Sequence, residues 1–214
     1  MSRAELLVLA SRNPKKAVEM VELVAPRWEA SPPLAGLRIK TLADFPDLPE
    51  VIEDAETFAG NARKKAQETA RALGCWVVAD DSGLTVDALE GAPGVLSARY
   101  AGVHGDDEAN NRKLLAALGD LPSERRGAAF VCALALCDPT GAVRFEARAE
   151  CRGRIVHEPR GTEGFGYDPL FRIREYHQTF GELSPLVKQQ ISHRSRAFAR
   201  LRPALERLLG SAIS

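Results

Sequence analysis

The chain of 214 residues is 45% hydrophobic, enough to bury the core of one α/β domain or of two small lobes, and its 29 basic residues are matched by 29 acidic ones. That balance excludes an overall field that would hold nucleic acid or an anionic membrane, and it favours a small, locally charged ligand. The four cysteines, Cys75, Cys132, Cys137 and Cys151, lack C-x-x-C pairing and read as buried free thiols of a reducing cytoplasm rather than as a disulfide framework.

The short apolar run Leu6-Leu7-Val8-Leu9-Ala10 is too brief for a signal sequence, and no run approaches the roughly 20 apolar residues that span a bilayer. Residues 5–10 read instead as a buried strand, after which Asn13-Pro14 offers a cap and a first-turn proline for a helix. Ala17, Met20, Val21 and Val24 share one face of that helix, Pro26 is its expected end, and Ser31-Pro32-Pro33 is a loop. Residues 38–42 read as a second strand, followed by an acidic connection over 44–54. Thr57 opens a long helix whose Phe58, Ala62, Ala66 and Ala70 recur at every fourth position, with Gly74 as its stop. Residues 76–79 predict a buried strand running into an acidic turn, Asp80-Asp81-Ser82-Gly83. A third helix covers about 107–118. The runs 130–137 and 143–150 flank Asp138-Pro139-Thr140-Gly141, the pattern of a β-hairpin. Residues 161–169 form a glycine-rich loop, and a helix over about 192–209 closes the chain. With no internal repeat, the expectation is a single domain over 1–214: a mixed α/β fold whose elongated central sheet is flanked by helices, in two lobes with a nucleotide cleft between them.

Four segments carry chemistry. Ser11-Arg12-Asn13-Pro14-Lys15-Lys16 joins a strand to a helix start, where backbone N–H groups and the helix dipole favour an anion; Ser11, Asn13 and Lys16 add donors and charge, although an ordinary cap with solvated lysines explains the segment as well. It is not a P-loop, because G-x-x-x-x-G-K-[ST] is absent. At Asp80-Asp81 the side chains of a strand-like segment point to opposite sides, so one carboxylate faces a ligand while the other braces the backbone; a plain Asp-Ser-Gly turn is the competing reading. A hard cation such as Mg²⁺ needs only one or two carboxylates beside substrate phosphates, and Glu53 is a candidate for the second, with solvated charge as its alternative. In Gly161–Pro169 three glycines surround Phe165 and Tyr167, either of which suits stacking on a planar base. Lys188 and Ser192-His193-Arg194 add donors suited to phosphate or a base edge, as would any polar helix start.

Taken in order, these segments resemble the inosine triphosphate pyrophosphatase family, enzymes that remove noncanonical purine nucleotides. The resemblance covers nearly the whole chain and rests on Ala79-Asp80-Asp81-Ser82-Gly83-Leu84, Gly91-Ala92-Pro93-Gly94 with Ser97-Ala98-Arg99-Tyr100, Gly164-Phe165-Gly166-Tyr167-Asp168-Pro169, and Ser192-His193-Arg194. It implies hydrolysis of ITP, dITP and XTP to the monophosphate and pyrophosphate, Mg²⁺ as cofactor, and a cytoplasmic homodimer that uses neither nucleic acid nor membrane. By motif it implies that Ser11, Asn13 and Lys16 hold the triphosphate, and that Asp81 is the catalytic carboxylate and, with Glu53, a metal ligand. Ser82 would touch substrate, while Phe165, Gly166, Tyr167, Asp168, Lys188, His193 and Arg194 form the nucleotide pocket. Asp80 is a possible support for the turn. The stretch 24–40 is longer than the family's usual connection, and Glu50, Asp54 and Glu56 compete with Glu53. The alternatives are a Maf-type pyrophosphatase of modified pyrimidine nucleotides and a nucleotide-binding or nucleic-acid-binding module without catalysis, the latter prompted by Arg194, Arg196, Arg200, Arg202 and Arg207 of the last helix.

Overall fold

The computed structural model describes residues 6–28, 34 and 37–213. Glu5 and the expected loop at Ser31-Pro32-Pro33 lie outside the described residues. Seven strands form one sheet in the order β2-β1-β3-β4-β5-β6-β7, and the chain divides into two compact units, one of Met1–Asp81, Ala133–Arg148 and Arg194–Ser214, the other of Ser82–Cys132 and Ala149–His193.

The first unit begins with β1 (Leu6–Ala10), which pairs in parallel with β2 (Arg38–Thr41) on one side and with the start of β3 (Trp76–Val86) on the other. Parallel strands require crossovers, and helices α1 (Pro14–Trp28) and α2 (Phe58–Leu73) supply them. Asn13 caps α1 with its side-chain oxygen, which accepts from the N–H groups of Lys15 and Lys16 at 3.0 and 3.1 Å. The helix continues past the expected stop at Pro26 to Trp28. A proline deletes only one hydrogen bond there, and only the last residues depend on it. Thr57 caps α2 by accepting from Gly60 N–H, and Gly74 ends it in the left-handed conformation. Ala62, Ala66 and Ala70 are fully buried among Val8, Ala10, Val77 and Ala79, so the alanine face lets α2 pack close to the strands.

In the second unit, α3 (Asp107–Leu118) is capped by Asp106 and packs Leu114 and Leu118 into a core with Leu84, Phe130, Phe171 and Phe180. The ring centroids of Phe130 and Phe171 lie 4.6 Å apart. Arg126, only 1% exposed, donates from its guanidinium to the carbonyls of Gly119, Leu121, Ile155 and Val156, tying the end of α3 to β5.

Strands β4 (Gly127–Cys137) and β5 (Val143–Ile155) follow one another through the expected turn, where Asp138 N–H donates to the Ala142 carbonyl. Together with β3 they contribute residues to both units. Strands β6 (Phe171–Ile173) and β7 (Gln178–Thr179) add antiparallel pairs, and α4 (Pro185–Ile191) and α5 (His193–Ile213) complete the chain. All four cysteines are buried and unbridged. Among the described residues no helix is long and apolar enough to cross a membrane. The apolar run Phe130–Leu136 is buried.

The expectation of an acidic turn is also corrected. Asp80-Asp81-Ser82-Gly83 is not a turn that ends a strand but the middle of β3, which runs on to Val86. Gly83 is required by crowding rather than by turning: a Cβ there would stand 2.3 Å from Ser97 Oγ and 2.8 Å from the Gly94 carbonyl.

Candidate functional site

In the first unit the alternation of β3 separates the two carboxylates. Asp81, 6% exposed, accepts a hydrogen bond from Asn61 Nδ2 at 3.0 Å. Its proton affinity is raised, first by burial; Lys16, Lys65 and the Asn61 N–H oppose that shift, and the negative charge of Glu53 adds to it. Lys65 Nζ makes an ion pair with Glu53. Burial would lower the pKa of Lys65, but Glu53, Asp80 and Asp81 together outweigh it and hold the ammonium charged. Asp81 therefore feels the charges of Lys16, Lys65 and Glu53, and two of its neighbours, Asn61 and Lys65, are residues that the sequence reading missed.

Those two residues had a legible signal. Asn61, Lys65 and Thr69 recur at every fourth position of α2, immediately before Ala62, Ala66 and Ala70. Asn61 and Thr69 are each 1% exposed, so this is a buried polar stripe beside the alanine stripe. A small pocket in this unit is lined by Arg12, Leu48, Glu50, Glu53, Lys65 and Thr69, and Thr69 Oγ1 has no hydrogen-bond partner among the described residues. Ser11 is buried and donates to the Asn13 carbonyl at 3.4 Å. Because Asn13 Oδ1 is committed to the helix cap, what Asn13 offers an anion is its amide NH₂.

Asp80 serves the opposite side of β3. It accepts from Arg194 Nε at 3.2 Å, and the same guanidinium pairs with Glu19 of α1. Arg194 is 2% exposed and Asp80 1%, so the expected base-reading arginine is held by two carboxylates in a desolvated setting that strengthens their attraction.

The second unit holds the remaining candidates. Ser82 is half-buried on β3. Phe165 and Gly166 are also half-buried, on the glycine-rich loop. Asp168 Oδ2 accepts from Phe165 N–H at 2.8 Å and from Lys188 Nζ at 2.6 Å, and that ammonium stands 4.7 Å from the centroid of the Phe165 ring. Tyr167 is placed otherwise than stacking on a ligand would need. Its ring is in the core, 4% exposed, and its hydroxyl donates to the Ser97 carbonyl at 2.9 Å, so the Tyr167 backbone is what remains for a ligand. His193 stacks on Phe130 with centroids 5.0 Å apart and is 5% exposed.

Two carboxylates, two lysines and a capped helix start within one α/β unit make a setting suited to phosphate groups and a cation. More narrowly, the chain belongs to the Ham1 family, whose model matches residues 7–204. It is 53% identical to a dITP/XTP pyrophosphatase of Rhodopirellula baltica over 99% of this chain and 98% of that protein. Among solved structures it is similar to a HAM1 protein from Coxiella burnetii, with a TM-score of 0.81 and 38% identity over 94% of this chain and 98% of the other. It is also similar to a nucleoside-triphosphatase, a dITP/XTP pyrophosphatase, from Mycobacterium abscessus, with a TM-score of 0.73 and 46% identity over 92% and 99% of the two chains.

Proposed function

We propose that the protein hydrolyses noncanonical purine nucleoside triphosphates, ITP, dITP and XTP, to the nucleoside monophosphate and pyrophosphate, and that it requires Mg²⁺. The observation that carries this reading is the electrostatic group Lys16, Glu53, Lys65 and Asp81 in one unit of a chain that matches a dITP/XTP pyrophosphatase along its whole length.

Among the described residues no three His, Cys, Asp or Glu side chains form a closed metal cage. The donor set nevertheless fits Mg²⁺, a hard ion that keeps several waters and takes one or two carboxylates together with substrate phosphates. Asp81 is desolvated and lies close enough to Glu53 for the two charges to repel, and a cation relieves that repulsion. Bound Mg²⁺, held by Glu53 and Asp81, would offset charge on the phosphates.

The chain's own residues supply the rest. Lys16, Lys65, the Asn13 amide, Ser11 and the N-terminus of α1 bind phosphate oxygens and stabilise the departing pyrophosphate. Asp81, made more basic by burial and oriented by Asn61, takes a proton from the attacking water. Water oxygen bonds to the α-phosphorus and the α–β phosphoanhydride bond breaks, so no covalent intermediate is needed. Phe165 stacks on the purine; Ser82, the backbone of Gly166 and Tyr167, Asp168 and Lys188 line the nucleotide. A donor from His193 favours the C6 oxygen of hypoxanthine or xanthine over the amino group of adenine, whereas the Arg194 guanidinium is committed to Asp80 and Glu19.

Cytoplasmic placement is supported by the four buried free thiols. A homodimer rests on the family resemblance, and light scattering of the purified protein tests it. The enzyme itself is tested by a panel of ITP, dITP, XTP, ATP, GTP and methylated pyrimidine triphosphates with product identification. Pyrophosphate release from the first three, well above the others, is the expected result. Orthophosphate as the first product, or preference for the pyrimidines, overturns the reading.

A further inference from the structure

The glycine-rich loop of the second unit owes its shape to two residues of α3 that lie outside the groups described so far. Gly164 and Gly166 both hold positive φ, +76° and +61°. At Gly164 the reason is local, because a Cβ would stand 2.0 Å from Asp168 Oδ2. At Gly166 a Cβ would meet nothing within 4 Å, so only the backbone conformation matters, and something must hold it.

What holds it is a double grip. Gly166 N–H donates to Asp107 Oδ2 at 2.9 Å, and the Gly166 carbonyl accepts from Asn111 Nδ2 at 2.9 Å. Asp107 and Asn111 are four residues apart and so share one face of α3. Asp106 is the cap of the helix and Asn110, Leu114 and Leu118 are its buried side chains, while Asp107 also places a negative charge in its first turn. Asn111 Oδ1 is buried with no hydrogen-bond partner among the described residues, a cost that a merely structural amide would avoid. On the far side of Gly166, the Phe165 N–H is fixed to Asp168, whose carboxylate also anchors the Lys188 ammonium beside the Phe165 ring. The backbone of Phe165 is thus pinned from both directions.

We infer that Asp107 and Asn111 are positioning residues for base recognition: by clamping the two peptide groups of Gly166 they set where the Phe165 ring, beside the Asp168-anchored Lys188 ammonium, presents itself to a purine. This rests on the proposed function and deepens it, adding selectivity determinants that touch no substrate. The test uses the full-length enzyme with Asp107→Ala, Asp107→Asn and Asn111→Asp, assayed on dITP and dGTP in parallel with calorimetric titration of IMP without metal. Asp107→Ala and Asn111→Asp are expected to raise KM for dITP about tenfold with kcat changed by less than about threefold, and to cut the preference for dITP over dGTP about tenfold. Asp107→Asn keeps an acceptor oxygen for Gly166 N–H and should recover most of that loss. A fall in kcat at unchanged KM, unchanged selectivity, or no recovery in Asp107→Asn overturns the inference. IMP affinity separates the two claims. If the wild type binds IMP and the variants bind it about tenfold more weakly, the clamp stands even where dITP turnover is absent and the proposed reaction falls. Unchanged IMP affinity in the variants overturns the clamp alone, and a wild type that binds no IMP overturns both.

Discussion

Replacing Asp81 by Asn should make the protein more stable and nearly inactive at once. The substitution keeps the shape of the side chain and leaves an oxygen for Asn61 Nδ2, but it removes a charge that burial opposes. Because the folded protein raises the pKa of Asp81 above its ordinary value of 3.8, the carboxyl favours the fold most where it is protonated, and that contribution is lost as pH rises through the folded pKa. At neutral pH the ionised carboxylate is therefore a net cost that asparagine lacks. Each tenfold change in proton affinity corresponds to about 1.4 kcal/mol. For a chain of about 200 residues a gain of about 1 kcal/mol raises Tm by roughly 2–4 °C. Scanning calorimetry should show the gain shrinking as pH falls from neutrality toward 3.8, because the wild-type carboxyl is neutral too once pH is below its raised folded pKa. Pyrophosphate release from dITP should fall about 10²–10⁴-fold, the range for loss of a general base, while nucleotide binding largely survives. A variant less stable than wild type at neutral pH refutes the electrostatic account. Undiminished turnover removes Asp81 from the reaction.

Three further outcomes follow from the same geometry. Glu53→Gln weakens the oxygen pair and is expected to raise the Mg²⁺ concentration for half-maximal rate at least about tenfold, with chelator abolishing activity in both proteins; an unchanged Mg²⁺ titration would move the role to Glu50, Asp54 or Glu56. Lys188→Met strands the carboxylate of Asp168, whose side chain is 3% exposed, and should cost about 3 kcal/mol or more and roughly 10 °C in Tm, much of it recovered in the double variant with Asp168→Asn. Tyr167→Phe loses only the hydroxyl bond to the Ser97 carbonyl, so Tm should drop by about 2–4 °C while KM for dITP moves less than about twofold. A tenfold rise in KM there would show that the hydroxyl does meet the substrate.

Helix ends were legible in the sequence because a cap is a hydrogen bond closed within four residues. Asn13 before Pro14, Thr57 before Phe58 and Gly74 after Leu73 each sit where the residue types predict. The opposed directions of Asp80 and Asp81 were equally local, since strand side chains alternate. So were the ordered motifs that carry the family resemblance. What each alternating side chain would meet was a different matter. That Asp80 meets an Arg194 which also holds Glu19 involves residues 114 positions away in one direction and 61 in the other, and no periodicity contains such a partner.

The misreadings have the same origin. Ser82-Gly83 has turn chemistry, yet β3 runs through it because sheet pairing and the approach of Ser97 and Gly94 to Gly83 outweigh local preference. Tyr167 has the composition of a stacking residue, but packing draws its ring into the core, where the Ser97 carbonyl satisfies its hydroxyl. Asn61 and Lys65 were visible as a polar stripe on α2, although only the fold put Asp81 against the one and Glu53 against the other. The sequence by itself determined the elements, their caps and the residue types available for catalysis. The tertiary structure alone decided which buried charges face one another, because burial and long-range contact set their energies.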